Sequence, residues 1–222
     1  MTKKQYNFIN GLFVLLGVVL LFEVIRDSVA DGDFIGYLNA GNLVLAKKDI
    51  YSDYYNTWPP FFSVFSVILA LIDKCSPVLV RVLWLTGSLV ALFYIIKITS
   101  KMFLDKVPGF KNGASIRFQD PIIFVPVLIM VRFLLDNLDN VQINIYMLLL
   151  SCLTIYFFTQ NKYLLSGLIL ALGISLKAYP IFILFYFIYK REMRVVLWTG
   201  IFLVLVNSIT ILVFGADQAF AY

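Results

Sequence analysis

Seven apolar runs dominate this chain, at residues 8–25, 78–96, 121–135, 143–158, 164–176, 181–189 and 195–214. A run of ~20 apolar residues covers the hydrocarbon thickness of a bilayer. No water-soluble core could absorb so many, and the composition agrees: 61% of the 222 residues are hydrophobic and 14% are charged. Soluble domains average ~45–50% and ~25%. Lipid must therefore be part of the solvent. The sequence predicts an all-α polytopic membrane protein, a single domain over 1–222 with about seven transmembrane helices. Only "KAYP" separates the fifth and sixth runs, and Pro180 ends or kinks a helix. A tight helical hairpin is expected there in preference to one long kinked helix. Lys3 and Lys4 before the first run and "SVA" after it outline a signal peptide. The six further runs favour a retained signal anchor instead.

Topology turns on residues 61–72, "FFSVFSVILALI", a dozen apolar residues and so nearer an interfacial helix than a span. If they do not cross, the cytoplasmic side holds Lys3, Lys4, Lys97, Lys101, Lys106, Lys111, Arg117, Lys162, Lys190, Arg191 and Arg194. The outer side holds Arg26, Lys47, Lys48, Lys74, Arg81, Arg132 and Lys177. If they cross, this 11:7 distribution becomes 6:12. The excess of lysine and arginine on cytoplasmic loops therefore favours seven spans plus one surface-lying helix, with a cytoplasmic N-terminus. Ten acids then fall outside: Glu23, Asp27, Asp31, Asp33, Asp49, Asp53, Asp73, Asp136, Asp139 and Asp217. That face, with Arg81, Arg132 and Lys177 at its membrane boundary, is the expected working side, and residues 31–75 form its first loop.

Several chemistries are excluded early. The chain has no histidine, which removes imidazole-based triads and histidine metal sites. Cys75 and Cys152 are isolated in or beside apolar runs and read as lone packing thiols. Asp31, Asp33, Asp136 and Asp139 could hold a divalent ion only by converging, and no ligand spacing demands it. No metal ligands and no certain cofactor are read from the sequence, and metal dependence stays open. The net charge of +5 is assigned to membrane topology and not to nucleic acid.

The remaining polar residues have paired readings. Lys177, ending "LLSGLILALGISLKAYP", either snorkels to the headgroups or holds a phosphate of a lipid-linked substrate. Arg81 has the same alternatives, and a guanidinium can grip phosphate through two hydrogen bonds. In "DNLDNVQINIY", helix capping accounts for some of the density of Asp and Asn. Gln142 and Asn144, however, lie within the apolar register, where polar side chains are costly unless they meet each other or a ligand. In the first outer loop, "YLNAGNLVLAKK" suits a helix on the bilayer surface. The rings of Phe34, Tyr37, Tyr51 and Trp58 suit either an aromatic belt at headgroup depth or stacking on sugars. A carboxylate beside such rings is a candidate general base.

Three stretches carry a resemblance. "DFIGYLNAGNLVLAKKDIYSDYYNTWPPFFSVFSVILALI", "VQINIYMLLLSCL" and "LSGLILALGISLKAYPIFIL" are similar, in that order, to motifs of glycosyltransferase family 87, the DUF2029 or PimE-like mannosyltransferase group of the GT-C superfamily. The shared positions are Asp33-Phe34, Tyr37, Ala40, Tyr51, Trp58-Pro59-Pro60, Gln142, Asn144 and Lys177. The resemblance implies a GT-C fold with two juxtamembrane helices in the first outer loop. It also implies transfer of a hexose, usually mannose, from a polyprenyl-phosphate donor to a lipid or glycan acceptor at the outer face, with inversion. Carried over by position, Asp33 would be the catalytic base. Lys177 and Arg81 would bind the donor phosphate, and Tyr37, Gln142 and Asn144 would line the site. Phe34, Tyr51 and Trp58 would contact sugar or lipid, while Asp49 and Asp53 would be solvated. Two positions depart from the motif: Val141 stands where glycine is usual, and Trp58 where tyrosine is usual. Such enzymes are about twice this length, so the chain reads as their amino-terminal portion. The alternatives are a multi-pass transporter or flippase for a lipid-linked or polar solute, and an inactive scaffold.

Overall fold

The computed structural model describes residues 3–52, 56–110 and 116–215; Asp53, Lys111 and Asp217 of the reading above lie outside them. Nine α-helices occur among the described residues: α1 Lys3–Asp27, α2 Phe34–Leu45, α3 Pro60–Cys75, α4 Pro77–Leu104, α5 Pro121–Asp139, α6 Asn144–Thr159, α7 Tyr163–Leu176, α8 Ile181–Tyr189 and α9 Met193–Phe214. Every apolar run is helical. Only α1, α4, α5 and α9 are long and apolar enough to cross a membrane. At 1.5 Å per residue, α6, α7 and α8 reach roughly 24, 21 and 14 Å, short of a ~30 Å hydrocarbon layer. Of the seven expected spans, three are thus partial helices. The physical reason is local punctuation: Asn161 and Arg191 turn the chain at positive φ, and Lys177 leaves α7 in an extended conformation, φ −154°, ψ 128°.

Four helix ends share one capping arrangement. After α2, α5, α6 and α8, the residue in the left-handed region is Lys47, Val141, Asn161 and Arg191 respectively. In each case the next amide bonds back across the turn: Lys48 N–H to Leu43 at 3.0 Å, Gln142 to Asn137, Lys162 to Phe157 and Glu192 to Phe187, each at 2.9 Å. This six-to-one pattern satisfies carbonyls that the helix leaves unpaired.

The chain forms two compact units. One comprises Met1–Gly32 and Arg81–Tyr146, the other Asp33–Val80 and Met147–Tyr222. In the first, α1 packs on α5, with Phe13 and Phe124 edge-to-face at 5.7 Å. Tyr146 donates to the Trp84 carbonyl at 2.6 Å, and its hydroxyl occupies the space a side chain at Gly87 would need.

In the second unit, α7 lies against α9. Gly167, Ala171 and Ser175, four residues apart, form a buried ridge of small side chains, the pattern that lets membrane helices approach closely. A Cβ on Gly167 would stand 2.8 Å from the Thr199 nitrogen. Phe187 at the end of α8, Leu170 of α7 and Val195 at the start of α9 form a buried cluster, with Tyr163 and Phe158 packed against it. That places the end of α8 beside the beginning of α7, as a helical hairpin requires. Residues 61–72 form most of α3, which buries Phe62, Ser63, Ser66, Leu69 and Ala70 along one face. This face meets α2, and α3 also touches α7 and α9.

Candidate functional site

Asp33 occupies the residue before α2. Its carbonyl accepts from the amides of Gly36 at 3.1 Å and Tyr37 at 3.4 Å, so the backbone begins the helix. The carboxylate makes no capping hydrogen bond and Asp33 is exposed. An aspartate in this position ordinarily caps with its side chain; this one does not.

The residues that follow anchor it. Phe34 and Tyr37 are fully buried. The Tyr37 ring is edge-on to Phe34 at 5.8 Å, Trp58 at 4.9 Å and Phe62 at 5.0 Å. Gly36 lies beneath the Trp58 indole, where a Cβ would meet Cη2 at 2.7 Å. Tyr51 donates to the Trp58 carbonyl at 3.1 Å, and buried Asn56 donates to the Ile50 carbonyl and to Ser63. The four aromatic positions expected near a sugar therefore divide. Phe34 and Tyr37 sit in the packing between α2 and α3, while Tyr51 and Trp58 are half-buried. Asp49 is exposed and accepts from the Tyr51 amide at 2.9 Å.

Lys177 belongs to the same unit. The break after α7 leaves it half-buried, with its ammonium 6.0 Å from the centre of the Tyr179 ring. Partial burial pushes its pKa below the ordinary lysine value, and the negative charge of Asp33 opposes that shift.

Three other expected site residues belong to the first unit. Arg81, in the second turn of α4, is buried. Its Nε donates to the Ala30 carbonyl at 2.9 Å and its Nη2 to Asp31 at 3.1 Å. Gly32, at φ +44°, runs against the backbone of Asn140 so closely that any side chain would overlap it. Arg81 and Gly32 therefore fix the segment immediately upstream of Asp33 in sequence. At the other side of that contact, Val141 adopts φ +48° and is fully buried. The turn it makes brings Gln142 Oε1 to Asn144 Nδ2 at 2.6 Å and to Asn137 Nδ2 at 3.3 Å. The two polar residues in the apolar register meet each other, which removes much of the cost of burying them. The Asn137 Oδ1 is buried with no hydrogen-bond partner.

Sequence reasoning counted Glu23, Arg26, Asp27 and Asp139 only as outer-face charges. They form a network that joins the ends of α1 and α5: Arg26 contacts Glu23, and lies 2.7 Å from both Asp27 and Asp139. Glu23 and Asp27 are buried. The available signal was their spacing, i, i+3 and i+4 within an otherwise apolar helix, which puts all three on one face. Among the described residues, no group of three carboxylates or thiols is arranged to hold a metal ion, and both cysteines are free.

The model of glycosyltransferase family 87 matches residues 56–222. This stretch includes Trp58, Arg81, Gln142, Asn144 and Lys177, and begins downstream of Asp33. Comparisons with curated proteins and with solved structures return no match.

Proposed function

Since the chain belongs to glycosyltransferase family 87 and is an all-helical integral membrane protein, we propose that it transfers a hexose, mannose in the first instance, from a polyprenyl-phosphate donor to a hydroxyl of a lipid or glycan acceptor. In this reading the fold is of the GT-C type, the N-terminus is cytoplasmic, and the reaction takes place at the extracytoplasmic face. Asp33 is the general base and takes the proton of the acceptor hydroxyl. The hydroxyl oxygen attacks the anomeric carbon as the bond from that carbon to the phosphate oxygen breaks. One in-line displacement inverts the anomeric centre and releases polyprenyl phosphate. Lys177 faces the departing phosphate and stabilises its growing charge. Phe34 and Tyr37 hold Asp33 through packing, and Tyr51 and Trp58 offer half-buried ring surface to sugar or lipid. Arg81 secures Ala30 and Asp31, and through them the approach to Asp33 in sequence.

The observation that carries this reading is the setting of Asp33: an exposed carboxylate that caps nothing, held by the buried Phe34 and Tyr37 in the same compact unit as half-buried Lys177. Such a carboxylate is open to an acceptor hydroxyl, as a general base must be. The test is transfer of radiolabelled sugar from polyprenyl-phosphate mannose by purified protein. Asp33→Asn should lower turnover by roughly 10²–10⁴-fold, the usual contribution of a general base, at unchanged yield in the membrane. Full turnover in that variant would remove Asp33 from the mechanism.

A further inference from the structure

The first unit holds an apolar cavity of about 280 Å³ between α1, α4 and α5. Its walls include Phe13, Leu16 and Leu20 of α1, Leu92 and Phe93 of α4, and Phe124 of α5. Sites for small ligands typically measure ~300–1,000 Å³, so this one suits part of a single hydrocarbon chain and no headgroup. A cavity lined in this way does not attract water.

One end of the cavity is differently built. Phe93, Phe118 and Phe110 stack there, with centroids 5.2 Å and 4.6 Å apart. Lys97 stands over the rings of Phe93 and Tyr94 at 5.3 and 5.8 Å. Arg117, next to Phe118 in sequence, lies 4.7 Å from the centre of the Tyr6 ring. Asp120 shares Arg117 at 3.5 Å, and Lys101 is paired with Asp105. Residues 97–120 nonetheless carry five basic side chains (Lys97, Lys101, Lys106, Lys111, Arg117) against two acidic ones (Asp105, Asp120). Phe103 and Phe110, 81% and 63% exposed, lie within this basic stretch as side chains at a membrane interface do. An oily slot that ends at cations and exposed aromatic rings is complementary to a molecule with an apolar tail and an anionic head.

We propose that this cavity binds one acyl chain of an anionic phospholipid, whose headgroup phosphate sits against Lys97 and Arg117. Basic pockets between membrane helices recognise such headgroups, and each cation at the surface contributes about fivefold to affinity. The cavity shares no lining residue with those assigned to sugar transfer, so the two readings stand or fall independently.

The experiment is native mass spectrometry of the full chain released from nanodiscs containing equal amounts of phosphatidylglycerol and phosphatidylcholine with matched acyl chains. Wild type should retain phosphatidylglycerol in preference. Lys97→Gln, which removes the ammonium lying over the Phe93 and Tyr94 rings, should weaken that preference about fivefold and leave phosphatidylcholine retention unchanged. Leu92→Trp, which fills the slot, should reduce retention of both lipids. Equal retention of the two lipids by wild type overturns the proposal, as does an unchanged preference in Lys97→Gln. Displacement of phosphatidylglycerol by equimolar polyprenyl phosphate assigns the slot to the donor chain and equally overturns it. Should Leu92→Trp not fold, the Lys97→Gln comparison decides alone.

Discussion

Replacing Val141 tests whether the turn that presents Gln142 and Asn144 is built as described. Val141 is fully buried and sits at φ +48°, a conformation that costs an L-residue roughly 1–2 kcal/mol and a β-branched one at least as much. Val141→Ala removes two buried carbons, about 1.6 kcal/mol at ~0.8 kcal/mol each, with a further cost for the void. It leaves the left-handed backbone in place. Val141→Gly removes a third carbon, another ~0.8 kcal/mol, and adds ~0.5–1 kcal/mol of chain entropy. On burial and entropy alone, glycine should therefore be about 1.5 kcal/mol worse than alanine. Release of the left-handed strain cancels that difference, so we expect both variants to lose about 2 kcal/mol and to melt within a few degrees of each other. Thermal unfolding in detergent, followed by tryptophan fluorescence, makes the comparison. If Val141→Gly melts well below Val141→Ala, residue 141 does not carry a positive φ and the geometry assigned to the turn is wrong. The turn after α5 demands a left-handed residue, and here valine exchanges backbone ease for a buried side chain.

Further expectations follow from the same structure. Gly167→Val would press a branched side chain onto the Thr199 backbone; it should destabilise by roughly 1–3 kcal/mol or more, seen as a lower melting temperature that Ser166→Ala does not reproduce in size. Arg81→Lys keeps the charge but loses the fork that serves both Ala30 and Asp31, and should cost about 1–2 kcal/mol while shortening the lifetime of the Gly32 amide in hydrogen exchange. Donor binding should depend on pH through Lys177. Burial lowers its pKa, so the ammonium is lost, and affinity falls, at a lower pH than an ordinary lysine would give. Because the Asp33 charge raises that pKa, Asp33→Asn should move the midpoint lower still, measured by titrating donor binding in the catalytically silent variant.

How far the chain could be read without coordinates depended on the range of the interactions involved. Apolar length and composition set the helices, because burying each run needs nothing beyond the run itself. The hairpin at "KAYP" was legible because Pro180 cannot continue a helix. The number of full spans was less so: whether a run of 13 to 16 residues crosses depends on where its turns fall, and positive-φ turns at Asn161 and Arg191 leave little composition signal. Among the site residues, Gln142 and Asn144 were legible as polar groups that must find partners, and they find each other. Phe34 and Tyr37 looked like surface aromatics since the loop around them is polar; only the register of α2 against α3 shows that Trp58 and Phe62 enclose Tyr37. The Arg26 network was missed for the same reason, as Asp139 lies 113 positions away in sequence and reaches Arg26 only through the packing of α1 on α5.

In the proposed reaction Asp33 and Lys177 divide the work of base and phosphate ligand, and paired measurement of donor binding and turnover tests that division most directly. Asp33→Asn should bind polyprenyl-phosphate mannose with near wild-type affinity at neutral pH and fail to turn it over. Lys177→Gln should lose donor affinity, with Lys177→Arg recovering part of it. The reverse pattern, with donor binding lost in Asp33→Asn and retained in Lys177→Gln, would contradict the assignment of both residues.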